Sequence, residues 1–167
     1  MIILGIDPGI ADTGFGLIED TKGQLKVLTF GSIKTKAGLP LAQRLAELYQ
    51  QLQKIIKDYQ PQTAAIEQLF FCNNAKTALI VGQARGVAML TCQQAGLAIF
   101  EFTPLQVKQA VATYGGASKL QVQKMVQMIL GLKEIPKPDD AADALAIAIC
   151  GLNSFNLSNL DKLRKKG

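Results

Sequence analysis

Three acidic positions in this chain are hard to explain as ordinary structure. Asp7 ends or follows the apolar run "IILGI", and Glu67 closes the apolar "AAI". Asp143 is the only charged residue between Ala141 and Leu152, set among Ala142, Ala144, Leu145 and Ala146. A partly buried, unpaired carboxylate in such surroundings would cost several kcal/mol or take up a proton. A helix across "KPDDAADALAIAICGL" puts Asp140, three residues before Asp143, on the same face; Asp139, four before, would serve equally well on spacing alone. Either acid also suits a helix N-terminus on dipole grounds, with Pro138 in the first turn. Carboxylates gathered from two strand ends and a helix start repel one another, and divalent cations are the usual remedy. A hard-cation site of that kind supports hydrolysis of a phosphodiester. The chain has no histidine, so the commonest general base and nitrogen ligand is absent. Glu19, Asp20, Asp58 and Glu134, by contrast, fall at expected turns or helix ends.

The elements that must position these acids are legible from periodicity. Extended segments are expected at Ile2–Ile6, Phe15–Glu19 and Leu25–Ile33, with Gly9, Gly14 and "DTKG" as hairpin turns. A helix follows from Leu39 to about Tyr59, its apolar face carried by Leu41, Leu45, Leu48, Leu52, Ile55 and Ile56. "TAAIE" reads as a buried strand ending at Glu67, then a helix at roughly Ala75–Ala95 and a strand at Ala98–Phe102. Helices near Pro104–Thr113, Lys119–Leu130 and Asp139–Leu152 complete the domain. Three hairpin-linked strands followed by alternating strands and helices predict an α/β fold, a mixed sheet flanked by helices. One domain is expected over 1–155, with a basic, flexible tail at 156–167.

Composition narrows the function classes. At 167 residues and 49% hydrophobic content the chain suits one globular domain. No apolar run approaches the ~20 residues of a membrane span, and "MIILGID" has no basic n-region, so no membrane or secretory role is expected. Cys72, Cys92 and Cys150 are an odd number without CxxC spacing and read as free thiols in a reducing cytoplasm. Residues 153–167 carry +3 of the net +5, leaving a body of only +2. Such basicity alone is a weak sign of nucleic acid.

"GIDPGIADTGFG" at the start, "IEQLFFCNNAKTAL" with "GQARGVA" in the middle, and "DDAADALAIAIC" near the end resemble the acidic blocks of the RuvC family. These are crossover (Holliday) junction endodeoxyribonucleases of bacterial recombination, and the resemblance runs in order from Met1 to about Leu152. It implies an RNase H-like fold, a homodimer, and paired symmetric nicking of four-way junction DNA. Two Mg²⁺ per subunit are implied, with Mn²⁺ as a substitute, and so is partnership with the RuvA–RuvB branch-migration complex. The family's four metal-holding catalytic carboxylates fall on Asp7, Glu67, Asp140 and Asp143. Its pattern of an acid or histidine, two residues, then Asp selects Asp140 over Asp139, which becomes a helix-start acid.

Lys108 in "PLQVKQ" and Lys119 in "GGASKLQ" match lysines that the family places near the scissile phosphate. Phe70 resembles its junction-facing aromatic, with Asn73 and Asn74 in the accompanying DNA-contacting loop. Phe71 is expected in the core. Gly82 and Gly86 leave a smooth strip on their helix, for close packing on the sheet or for a partner helix. The strand-Asp and Gly-rich turn at the start also resemble the phosphate-binding hairpin of actin-like ATPases and sugar kinases. Those need two such domains, and this chain has no second Gly-rich signature.

Overall fold

The computed structural model describes residues 1–68, 75–112 and 114–164, excepting the side chains of 75, 76 and 157–164. Its strands are β1 (Ile2–Asp7), β2 (Asp12–Thr21), β3 (Gln24–Lys34), β4 (Thr63–Glu67) and β5 (Ala98–Phe102). They form one sheet in the order β3-β2-β1-β4-β5. The β1–β2 and β2–β3 pairs are antiparallel, and β1–β4 and β4–β5 are parallel. This is the mixed sheet expected from the order of apolar runs. The helices are α1 (Leu41–Tyr59), α2 (Ala75–Gln94), α3 (Pro104–Ala112), α4 (Lys119–Ile129) and α5 (Asp139–Arg164).

The alternation of strand side chains gives the sheet two faces. Leu4 and Ile6 of β1 lie in a buried cluster with Leu48, Leu52 and Ile56 of α1 and Ala84 and Ala88 of α2, which we call the back. Ile3 shares the front cluster with Ala65 of β4, Val107 and Val111 of α3, Val122 and Val126 of α4, and the apolar side of α5. Helix α5 lies across β1, β2, β3 and β4.

Two expectations need correction. Gly14 is not a hairpin turn: β2 begins at Asp12, and Gly14 pairs with Asp7 within the ladder. Helix α5, expected to close at Leu152, continues to Arg164. No proline or further glycine follows Gly151 until the last residue, and Leu152, Phe155, Leu160 and Leu163 prolong a helical spacing.

Among the described residues, no helix is long and apolar enough to cross a membrane. Cys92 and Cys150 are free and buried, and burial pushes their thiols up to about 12 and about 11. They are inert packing groups at neutral pH.

Candidate active site

Asp7 is the last residue of β1, and alternation with Ile3 and Gly5 turns it to the front. Glu67 is the last residue of β4 and, two residues after front-facing Ala65, shares its face. Asp140 and Asp143 come from the first turns of α5, which approaches the sheet unusually closely. A Cβ on Gly5 would stand 2.0 Å from the Ala144 carbonyl oxygen, and one on Gly14 2.0 Å from that of Asp140. Only glycine fits at either place. The alanines of α5 serve the same end, since Ala141, Ala144 and Ala148 are fully buried. Small residues on both surfaces therefore carry the helix start down onto the end of β1.

The result is a cluster in which one carboxylate oxygen from each of Asp7, Asp140 and Asp143 lies within 4.8 Å of the others. Glu67 is not one of that trio; it lines the same cleft of about 250 Å³, together with Asp7, Asp143, Lys108 and Lys119. Val107 and Val122 form part of its apolar wall.

Electrostatics show the strain of this arrangement. Burial, then the charges of Asp143 and Asp140, push Asp7 up to about 7 against the opposing pull of Lys119. Burial, then Asp7 and Asp143, push Glu67 up to about 7, with Lys108 pulling the other way. Burial also raises Asp143, although its hydrogen bond with Lys119 opposes the shift. These are carboxylates short of a cation. The donor set is all hard oxygen, converging and crowded, and it fits a divalent metal such as magnesium or manganese, not a soft one.

Lys119 is the first residue of α4, where Ser118 and Gln121 form a capping box. Its ammonium lies 3.1 Å from Asp143 Oδ2 and 3.4 Å from Asp139 Oδ2. Partial burial would lower its pKa, but the hydrogen bond and charge of Asp143, then the contribution of Asp139, raise it overall. Asp139 is thus more than a helix-start acid. Its Oδ1 accepts a hydrogen bond of 3.0 Å from the buried Gln123 side chain, so it looks toward α4 while Asp140 looks toward β1. Phe70, Phe71, Cys72, Asn73 and Asn74 lie outside the described residues, and the readings made for them stand as expectations. Among the described residues a Cβ on Gly86 would meet nothing within 4 Å, so this glycine faces away from the sheet.

Two arginines escaped the reading of the sequence. Arg44 of α1 donates from Nε to Thr35 Oγ1 (2.9 Å) and from a terminal nitrogen to the Ile10 carbonyl (3.1 Å), steadying the turn after Asp7. Arg85 of α2 donates from Nε to the carbonyl of Glu67 (3.1 Å) and pairs through its other arm with Glu101. A signal for Arg85 was available: it is the only charged residue between Lys76 and Glu101, as isolated as Asp143 is in α5.

Comparison with known proteins agrees with this fold. The family model for crossover junction endodeoxyribonuclease RuvC matches residues 3–151. A crossover junction endodeoxyribonuclease RuvC of Syntrophomonas wolfei is 52% identical over 159 residues, 95% of this chain and 92% of that protein. The one of Caldicellulosiruptor saccharolyticus is 56% identical over 155 residues, 92% of this chain and 93% of its own. The structure of Thermus thermophilus RuvC superposes with a TM-score of 0.87 at 35% identity, over 95% of this chain and 97% of that one. The same protein in complex with a Holliday junction substrate gives 0.85 at 36% identity, over 90% and 92%. The yeast mitochondrial resolvase Ydc2, at 15% identity and a TM-score of 0.64, shares the fold.

Proposed function

The chain belongs to the RuvC family of crossover junction endodeoxyribonucleases, and from that premise we propose that it resolves four-way DNA junctions by metal-dependent phosphodiester hydrolysis at the cleft of Asp7, Glu67, Asp140 and Asp143. The observation that carries this reading is the meeting of three carboxylates within 4.8 Å beside two lysines. Asp7, Asp140 and Asp143 would hold the cation, with Glu67 completing the donor set from the adjoining strand end. Mg²⁺ is the metal we propose, two per subunit, with Mn²⁺ as a substitute. When bound, the metal supplies the positive charge that lowers the pKa of water and stabilises a leaving oxygen.

The chain's own groups account for the rest. Lys119 lies between Asp139 and Asp143 in the lining of the cleft, where its ammonium would meet the scissile phosphate. There it offsets the charge that develops as water attacks phosphorus and the bridging oxygen leaves. Lys108, which lines the same cleft, would hold a neighbouring phosphate. Phe70, with Asn73 and Asn74, would meet the unstacked bases at the crossover.

Resolution needs two nicks, whereas one chain carries one set of acids, so the working unit we propose is a two-fold dimer. Leu79 and Leu90 are 67% and 54% exposed on α2, and with Gly86 between them they fall on one helical face. That face is the proposed contact. Family membership supports RuvA–RuvB as partners and a cytoplasmic site of action. The actin-like ATPase alternative finds no support in the family match.

The deciding experiment incubates the protein with a synthetic four-way junction and a matched linear duplex, in Mg²⁺ or in EDTA. Symmetric nicking of the junction alone, dependent on metal, is the expected result. An intact junction in Mg²⁺ and in Mn²⁺ would sink the proposal.

A further inference from the structure

Glu67 reaches the cleft from the last paired residue of β4, where the ladder ends at Glu67 and Phe102. Next to it, Gln68 is tied to β5 through a 2.7 Å bond to the Phe102 carbonyl. The direction of the Glu67 side chain therefore depends on how firmly that terminal peptide is held. Arg85 holds it from the other side of the sheet. Helix α2 packs on the back, yet Arg85 reaches forward along the strand end and donates Nε–H to the Glu67 carbonyl at 3.1 Å.

The rest of its guanidinium pairs with Glu101, the penultimate residue of β5. Glu101 alternates with Phe100 and Phe102 of the front cluster and so points back toward α2. The Arg85 side chain is only 19% exposed. A guanidinium so far out of water is retained where its fixed fork is matched by acceptors in fixed places. Both acceptors belong to the strand pair that ends in Glu67.

We propose that Arg85, anchored by Glu101, is a positioning residue for the Glu67 carboxylate, fixing its place beside the cation that Asp7, Asp140 and Asp143 would hold. The inference rests on the function proposed above. A misplacement on the order of 1 Å in such a site costs about a hundredfold in rate. Arg85→Gln removes the fork while keeping a polar side chain. It should slow single-turnover junction cutting roughly ten- to a hundredfold. Mn²⁺ half-saturation of the protein–junction complex, followed by the paramagnetic resonance of the free ion, should rise several-fold, while junction Kd stays within about twofold. Glu101→Gln should move both readouts in the same direction by less, and Arg85→Lys should recover part of the loss. Because both residues act through one contact, the double variant should be no slower than Arg85→Gln alone.

Unchanged Mn²⁺ binding in folded Arg85→Gln would overturn the inference, as would effects of the two substitutions that simply add. If Arg85→Gln does not fold, Glu101→Gln decides: an unshifted Mn²⁺ titration there is equally fatal. Wild-type protein that cuts no junction, while Arg85→Gln still weakens Mn²⁺ binding, would remove the proposed reaction and leave the positioning role. Wild-type cutting that Arg85→Gln leaves untouched would remove the positioning role alone.

Discussion

On the back of the sheet, Leu4 and Ile6 of β1 meet the large aliphatic side chains of α1, and Leu48 and Leu52 are fully buried there. On the front, Gly5 and Asp7 of the same strand meet the alanines and the first acids of α5. The back is packed by bulk and holds the helix at side-chain distance. The front is packed by the lack of bulk, which lets a helix backbone descend onto the strand. The first arrangement serves stability. The second trades aliphatic burial for proximity, and burial with the charges of Asp143 and Asp140 pushes the pKa of Asp7 up.

The sharpest break of this comparison is chemical. Asp7→Asn, Glu67→Gln, Asp140→Asn and Asp143→Asn should each reduce junction cutting by 10²–10³-fold or more, roughly the scale of losing one aligned electrostatic group. Gel-shift binding of the junction should persist in all four. Asp139→Asn should cut far better than any of them. A dead Asp139→Asn beside an active Asp140→Asn would reverse the roles given to those two acids.

Lys119→Ala comes next. Its single-turnover rate should fall on the order of a hundredfold, with a much smaller loss of junction affinity, because its ammonium sits at the carboxylate cluster. Parallel losses in rate and affinity would make it a general DNA contact instead.

Packing changes should then separate the two faces. Leu52→Ala on the back should cost about 2–5 kcal/mol in denaturant unfolding while leaving the cutting rate per folded molecule intact. Gly5→Ala on the front should cost about 1–3 kcal/mol by overpacking and should also impair cutting, since α5 has to move outward with Asp140 and Asp143. Full activity in folded Gly5→Ala would show that the close approach is not what assembles the site.

The smallest effect is a pH dependence measured in EDTA. Asp7 and Glu67 titrate near 7 when folded, well above their ordinary values of 3.8 and 4.5, so the folded state binds more protons than the unfolded one. Their contribution is therefore most favourable below about pH 4 and is lost as pH rises through about 7. Asp7→Asn should melt higher than wild type at pH 8, by a few degrees if the relief is about 1–2 kcal/mol, and the gap should close near pH 4. Mg²⁺ should stabilise wild type at pH 8 more than it stabilises the variant. A constant gap across this range would mean that the crowding costs nothing.

Much of this molecule was determined by its sequence alone. Period-two apolar runs and 3.6-residue stripes fixed the kind and order of the elements, because local burial patterns depend on backbone geometry and little else. The isolation of Asp7, Glu67 and Asp143 among apolar neighbours marked them for the same reason. Other matters waited for the tertiary structure. Asp139 and Asp140 are equivalent by helical spacing; the family's pattern selects Asp140, but the physical reason is the rotation of α5 against β1 and α4, which sends Asp139 to Lys119 and Gln123 and Asp140 to Asp7. Gly14 looks like a turn in isolation, and the group it leaves room for, the Asp140 carbonyl, is 126 positions away. The fork of Arg85 joins a back helix to two strand ends, contacts that no local pattern encodes. Periodicity tells a residue which face of its own element it occupies; which foreign group waits opposite is decided only when the elements pack.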